Sequence, residues 1–553
     1  VEQLIVRRGQ PFTINLHLRS GGYKPGGSAL NLTVETGNCV FTGLLADINS
    51  VPPGYMVSLS ICSPPDAPIG RWRLTLGQGG LVEFVLLYNP WCTGDVVYMD
   101  SEEKLTEYVL AQDGIIYRGS WKYLIPTPWN FGQFEDGILE ACLRILEMNP
   151  KCLRNPGKDA SGRKNPIYVS RVLSAMVNCN DDKGVLLGRW TNDYDGGVSP
   201  LSWKGSVEIL RNWDTNACQP VRFGQCWVFA AVACSVSRAL GIPCRVVTNY
   251  NSAHDTNSNL VIERYVDENG QLVQKSRDMI WNYHCWVENW MTRPDLKPGY
   301  DGWQAMDPTP QEKSEGVYCC GPIPLKAIKE GELTYKYDAP FVFAEVNADV
   351  HTFMKRKDGS TEKIISSVQV GLKISTKSVG SDRREDITHL YKYPEGRELP
   401  KCLSPEKRVP LRMNYSKYAE NLTEDNLIRL AALLLDYGTR EAYLAVRNIV
   451  LENPEIKVRI LGEPKENRKL VAEITLQNPL PVPLQNCCFT VEGSNLTGGQ
   501  IITEKLNSTV EPGQDAKVKI YFTPTHSGQR KLVVDFDSNK LCHVKGYRNV
   551  IIG

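Results

Sequence analysis

From Cys226 to Leu240 the chain reads as a single helix with no polar face. Gly224-Gln225 leads into it, Trp227-Val228-Phe229-Ala230-Ala231-Val232 follows the cysteine, and Gly241-Ile242-Pro243 stops it. A helix that is apolar on every side has to be wrapped by other elements. The fold must therefore hold a sizeable core, and a thiol stands at the first residue of that core's central helix. Helix-start amides and their dipole favour the thiolate, the form that attacks carbon. A packed structural thiol is the plainer reading of any single cysteine in such a place, so the partners decide.

Strand-like runs follow the helix: Arg245-Val246-Val247-Thr248, then Ile280-Trp281-Asn282-Tyr283-His284-Cys285-Trp286-Val287, then Trp303-Gln304-Ala305-Met306-Asp307. A helix against such a sheet is an α+β core. His284 sits among aromatic residues that could shield it, and Asp307 ends a strand just before Pro308-Thr309-Pro310. The chain has only seven histidines, so one inside this strand is a candidate base as well as a candidate core histidine. The order Cys…His…Asp is that of papain-like sites. The thiolate would attack a carbonyl carbon, His284 would take the thiol proton and return one to the leaving amine, and Asp307 would fix the imidazole tautomer.

The flanking regions differ in pattern. Residues 1–88 alternate apolar and polar in short runs punctuated by Gly and Pro, which predicts a β-sandwich. Residues 89–399 hold the α+β core, and 454–553 read as an all-β barrel domain. Between them, 400–453 has strand-like pieces but is short for a barrel of its own, so the first barrel is read as abbreviated.

Apolar content of 42%, charge of 23% and a net charge of +1 are ordinary for a soluble globular chain. They argue against a nucleic-acid partner or a polybasic membrane anchor. The charged start Val1-Glu2-Gln3-Leu4-Ile5-Val6-Arg7-Arg8 does not read as a secretory leader, and no apolar run is long enough to predict a bilayer span. Seventeen cysteines without zinc-type spacing read as reduced thiols of a cytoplasmic protein, any export bypassing a signal peptide. The adjacent Cys319 and Cys320, with Cys179, are redox candidates, packed thiols being the alternative.

Three segments carry a resemblance: Gly224-Gln225-Cys226-Trp227-Val228-Phe229-Ala230, Trp281-Asn282-Tyr283-His284-Cys285-Trp286-Val287 and Ala305-Met306-Asp307-Pro308-Thr309-Pro310-Gln311. They are similar to the active-site segments of the transglutaminases, and the likeness runs nearly end to end. Asn249-Tyr250-Asn251-Ser252-Ala253-His254-Asp255 and Tyr318-Cys319-Cys320-Gly321-Pro322 resemble the tissue type. The resemblance implies a calcium-dependent protein-glutamine γ-glutamyltransferase with Cys226, His284 and Asp307 as the triad. It implies Trp190 as an oxyanion donor and Trp281 as a wall of the amine tunnel. Substrates would be glutamine- and lysine-bearing proteins and polyamines.

The same resemblance implies three calcium sites. Asp255, Asn257, Asn259 and Asp278 would form one, the first three also reading as half a calcium loop. Ala175, Asn178, Asn180 and Asp182 would form a second. Asn347, Asp349, Glu395 and Glu398 would form a third, Glu398 lying in a segment shorter than the family pattern. It further implies GTP or GDP as an inhibitor, with Lys122 and Tyr123 on the core side of the pocket and Arg447 on the barrel side. The rest of the barrel side is missing from the short 400–453 segment. A cysteine protease or amidase on the same core, or a non-catalytic structural or adhesive relative, are the rival readings.

Overall fold

The structure, a computed structural model, describes residues 3–17, 32–36, 39–41, 45–50, 56–76, 79–267, 271–274, 276–394, 415–418, 427–435 and 442–553. At the N-terminus, alternating runs form two sheets. Five strands run in the order Leu4–Arg7, Gly79–Leu87, Gly70–Leu76, Leu32–Thr36, Cys39–Phe41; three run Phe12–His17, Met56–Cys62, Leu45–Ser50. Ile14, Leu59, Ile61, Trp72, Leu74 and Phe84 fill the space between them. A fully buried ion pair, Arg8–Asp95 at 2.6 Å, ties this sandwich to the core.

The helix Cys226–Leu240 is buried at every residue, as its lack of a polar face requires. It ends where Gly241 turns left-handed (φ 93°), its amide bonded back to the last turn. A Cβ there would meet the Tyr88 carbonyl oxygen at 2.4 Å, so the stop needs glycine. The helices Ile138–Glu147, Pro166–Met176 and Val207–Thr215 share its hydrophobic cluster. On its other side lies a six-stranded antiparallel sheet. The order is Ile323–Pro324, Gly302–Met306, Met279–Met291, Cys244–His254, Leu372–Lys377, Arg384–Asp386. The strand that carries His284 and the strand that ends just before Asp307 are therefore neighbours.

Between 400 and 453 the described residues show a short helix, Tyr415–Tyr418, and one hairpin, Leu427–Leu435 with Ala442–Val450. Beyond it, two sheets enclose a separate core. One runs Ile456–Leu461, Leu470–Gln477, Asp515–Phe522; the other runs Ile502–Lys505, Cys488–Glu492, Gly528–Asp537, Val544–Ile552. Burial along Asp515–Phe522 alternates residue by residue, the period of a half-buried strand. This domain docks on the catalytic core through polar contacts. Lys531 Nζ and Asn549 Nδ2 both donate to Asp382 Oδ2 at 2.9 Å, and the Asn495 amide donates to Glu135 Oε1 at 2.8 Å. No helix among the described residues is long and apolar enough to cross a membrane.

Candidate active site

Cys226 occupies the first position of its helix, buried, with Gln225 as the N-cap residue. Gln225 makes no side-chain cap. Its amide instead donates to the Arg189 carbonyl at 2.9 Å and to Tyr194 Oη at 3.1 Å. This explains a polar residue at the mouth of an apolar helix: it straps the neighbouring Arg189–Trp190 segment in place and leaves the helix-start amides uncapped by its side chain. The backbone adds to the strap. Leu186–Gly188 pairs in parallel with Val221–Gly224, and the Arg189 amide donates to the Gly224 carbonyl at 3.0 Å.

Trp190, at the end of that strap, stacks on Phe229 with ring centroids 6.2 Å apart and planes 10° apart. Phe229 is one helical turn on from Cys226. A Cβ at position 188 would sit 2.4 Å from the Trp190 ring, so Gly188 lets the indole fold over the backbone. Trp190 is 42% exposed, unlike the packed tryptophans. Trp281 lies three residues before His284, and its indole N–H is buried without a hydrogen-bond partner.

His284 and Asp307 are both buried, and Nε2 and Asp307 Oδ2 stand 2.6 Å apart. That bond occupies Nε2 and leaves Nδ1 for the thiol. Cys226 lies close enough to His284 and Cys285 for each to bear on the sulfur's proton. Burial works against a charged His284, yet the Asp307 charge and hydrogen bond outweigh it and hold the imidazole well above its usual range. Burial, then Cys285, push the Cys226 thiol well up, while His284 pulls it down. Of the side chains around the sulfur, the imidazole is the one that favours its ionised form.

Two further residues complete the cluster. Glu345, from the helix Ala339–Asn347, is buried with Oε1 3.6 Å from His284 Nε2. Burial and the nearby Asp307 push its carboxyl up to about 8, His284 opposing. Gln311 Nε2 donates to Asp307 Oδ2 at 3.0 Å and to Glu345 Oε1 at 2.9 Å, bracing both carboxylates beside the imidazole. Sequence reasoning found neither role. Glu345 stands in Phe343-Ala344-Glu345-Val346, where a lone acid inside an apolar helix was the available signal.

The residues expected to hold cations fall in three places. Ala175 ends a turn of the helix Pro166–Met176, and Asn178, Asn180 and Asp182 follow in the next loop. Asn178 is buried and Nδ2 donates to the carbonyls of Ser174, Pro308 and Tyr318, linking this loop to the segment after Asp307. Asp182 Oδ1 is buried without a partner, and burial pushes its carboxyl up to about 7. In the second place, Asp255, Asn257 and Asn259 accept from their own loop's amides, and Asp278 caps Thr256 and Glu263. Asn347 and Asp349 flank the start of the strand Asp349–Lys355, which runs parallel to Val261–Asp267 beside that loop. Glu395 and Glu398 lie outside the described residues.

Lys122 and Tyr123 line a groove of about 500 Å³ shared with Arg118, Glu452, Asn453 and Lys545. Arg447 is described only by its backbone, opposite Leu430 in the hairpin. Cys179, Cys319 and Cys320 are free thiols, each raised by burial, Cys179 to about 11.

Comparison with known proteins agrees with this arrangement. Residues 206–308 match the model of the transglutaminase-like superfamily, 1–43 that of the transglutaminase family, and 454–553 its C-terminal ig-like domain. The chain is 51% identical to human protein-glutamine gamma-glutamyltransferase 2 and 50% identical to that of Gallus gallus, covering all of this chain and 96% and 95% of those proteins. The alignment to the avian protein spans 657 positions against 553 residues here, leaving 104 positions of the relative without a counterpart. The crystal structure of red sea bream transglutaminase superposes with a TM-score of 0.91 at 39% identity, covering all of this chain and 96% of that one.

Proposed function

The chain belongs to the transglutaminase family, and on that premise we propose that it is a protein-glutamine gamma-glutamyltransferase with Cys226 as its nucleophile. What carries the reading is the buried contact of Cys226 with His284, itself 2.6 Å from Asp307, at a helix start no side chain caps.

The pair works with one proton between sulfur and imidazole. The Cys226 sulfur attacks the γ-carboxamide carbon of a protein glutamine, and the negative charge moves to the carboxamide oxygen. The Cys226 amide and the Trp190 indole N–H receive that charge, each such donor being worth ~3 kcal/mol. The C–N bond breaks as His284 passes its proton to the departing nitrogen, which leaves as ammonia, and a thioester remains on Cys226. An uncharged lysine side chain or polyamine then attacks the thioester carbon, its proton passes to His284, and the C–S bond breaks to give the isopeptide. Water in place of the amine gives deamidation. The Trp190 and Trp281 indoles wall the approach and keep it dry, favouring the amine.

The residues fit calcium best at Ala175–Asp182, where a partnerless carboxylate oxygen wants a cation. Calcium bound there would order the loop that Asn178 ties to Pro308, next to Asp307. At Asp255–Asn259 the ion would compete with, or share, oxygens now held by backbone amides. GTP or GDP would bind as inhibitor in the groove at Lys122 and Tyr123, whose wall also carries Arg118 and Lys545.

The test is incorporation of a primary amine into a glutamine-rich protein, with and without calcium and GTP. Calcium-dependent incorporation, abolished in Cys226→Ala, is expected. Ammonia release with no amine product at saturating amine would instead mark a hydrolase.

A further inference from the structure

The C-terminal domain carries a second cluster of ligating side chains. Asp535 and Asp537 alternate on the strand Gly528–Asp537 and so project from one face. The chain turns and returns as Val544–Ile552, with Lys545 opposite Asp535. His543 closes the turn, its amide donating to Asp537 Oδ1 at 2.8 Å. One ligand atom from each of Asp535, Asp537 and His543 lies within 4.8 Å of the other two.

These atoms face one another without bonding. His543 Nδ1 is 3.5 Å from Asp537 Oδ1 and 4.0 Å from Asp535 Oδ2, and it has no hydrogen-bond partner. Asp535 is only 1% exposed, and its Oδ1 is likewise buried and unpartnered. Leaving two such atoms unsatisfied is costly unless something sits between them. Calcium prefers oxygen alone; one imidazole with two carboxylates is the donor set of a borderline metal.

We propose that Asp535, Asp537 and His543 bind a divalent transition-metal ion, zinc by preference, where the C-terminal domain meets the core. Three cations border the site, Arg118 of the core among them. Lys545 Nζ donates to Asp535 Oδ2 at 3.1 Å, and Lys204 of the core stands 3.9 Å from the same oxygen. They repel a dication and hold the Asp535 oxygen nearest His543, so the metal has to compete for Oδ2 or take Oδ1, which no group holds. Three protein ligands leave a coordination position open toward the groove that His543 and Lys545 help to line.

The full chain, stripped by chelator, is titrated with Co2+ while its visible d–d absorption is recorded, then competed with Zn2+. His543→Asn keeps a residue suited to the left-handed turn (φ 55°) and removes the imidazole. Wild type should bind one more equivalent of Co2+ than this variant, displaced by Zn2+; Asp537→Asn should weaken that equivalent about tenfold or more. Lys545→Met should tighten it, because a repelling charge goes. Identical titrations of wild type, His543→Asn and Asp537→Asn would overturn the assignment. Far-UV circular dichroism of each variant, matching wild type, separates loss of ligand from loss of fold.

Discussion

Replacing Asp307 by Asn should cost this protein less than it costs a site with one carboxylate, because Glu345 stands behind it. Asp307 Oδ2 lies 2.6 Å from His284 Nε2 and Glu345 Oε1 lies 3.6 Å away. At an effective dielectric of about 20, these separations correspond to attractions for imidazolium of about 6 and about 5 kcal/mol. Glu345 is held near 8 partly by the Asp307 charge, so at neutral pH it is mostly protonated. Removing that charge lets it ionise, at a cost of about 1.4 kcal/mol or less per pH unit. The net deficit of Asp307→Asn is then about 3 kcal/mol, roughly 150-fold in kcat/KM. Asp307→Asn with Glu345→Gln forfeits the whole attraction, about 6 kcal/mol and roughly 10⁴-fold or more. Glu345→Gln alone, already neutral in function, should lose less than about threefold. Amine-incorporation kinetics on the four proteins at neutral pH give the cycle. If Asp307→Asn alone loses as much as the double variant, Glu345 is no reserve and the reasoning fails.

Other consequences can be checked separately. Gly188→Ala puts a Cβ 2.4 Å from the Trp190 ring; displacing that donor should lower kcat about tenfold or more with KM little changed, and an unaltered kcat would deny Trp190 its role. Glu345 binds a proton in the native state up to about 8 against an ordinary 4.5, so its contribution to stability is present at low pH and is lost as pH rises through that window. The urea midpoint of Glu345→Gln should therefore gain on wild type between about pH 5 and pH 9; a pH-independent difference would contradict the buried acid. Asp182→Asn should raise the calcium needed for half-maximal activity about tenfold, whereas an unchanged requirement would remove Asp182 from the ligands.

How much of this could be read in the sequence varies with the physics. The helix Cys226–Leu240 was legible to the residue, because a long run, apolar but for Ser235, Ser237 and Arg238, between a glycine turn and Gly-Ile-Pro has one sensible reading. The strands bearing His284 and preceding Asp307 were legible, but their adjacency is a matter of sheet order, which local pattern does not encode. Trp190 came from resemblance alone; its position depends on Gly188, Gln225 and a parallel pairing between segments thirty-odd residues apart. Glu345 and Gln311 gain meaning only from what surrounds them. The opposing pulls on the Cys226 sulfur, burial and Cys285 against His284, come from tertiary neighbours that the helix start does not reveal. In the C-terminal domain the return of His543 onto Asp535 and Asp537 is a property of the hairpin, which the sequence analysis did not reach.

The central claim is that Cys226 carries the acyl group. The chain, loaded with calcium and given a glutamine-bearing peptide but no amine, is quenched in acid, digested and weighed by mass spectrometry. The peptide containing Cys226 should gain the mass of the substrate less ammonia, hydroxylamine should remove it, and Cys226→Ser should lack the thioester. Ammonia released while Cys226 stays unmodified under conditions that trap thioesters, or an acyl group found on another cysteine, would contradict the account.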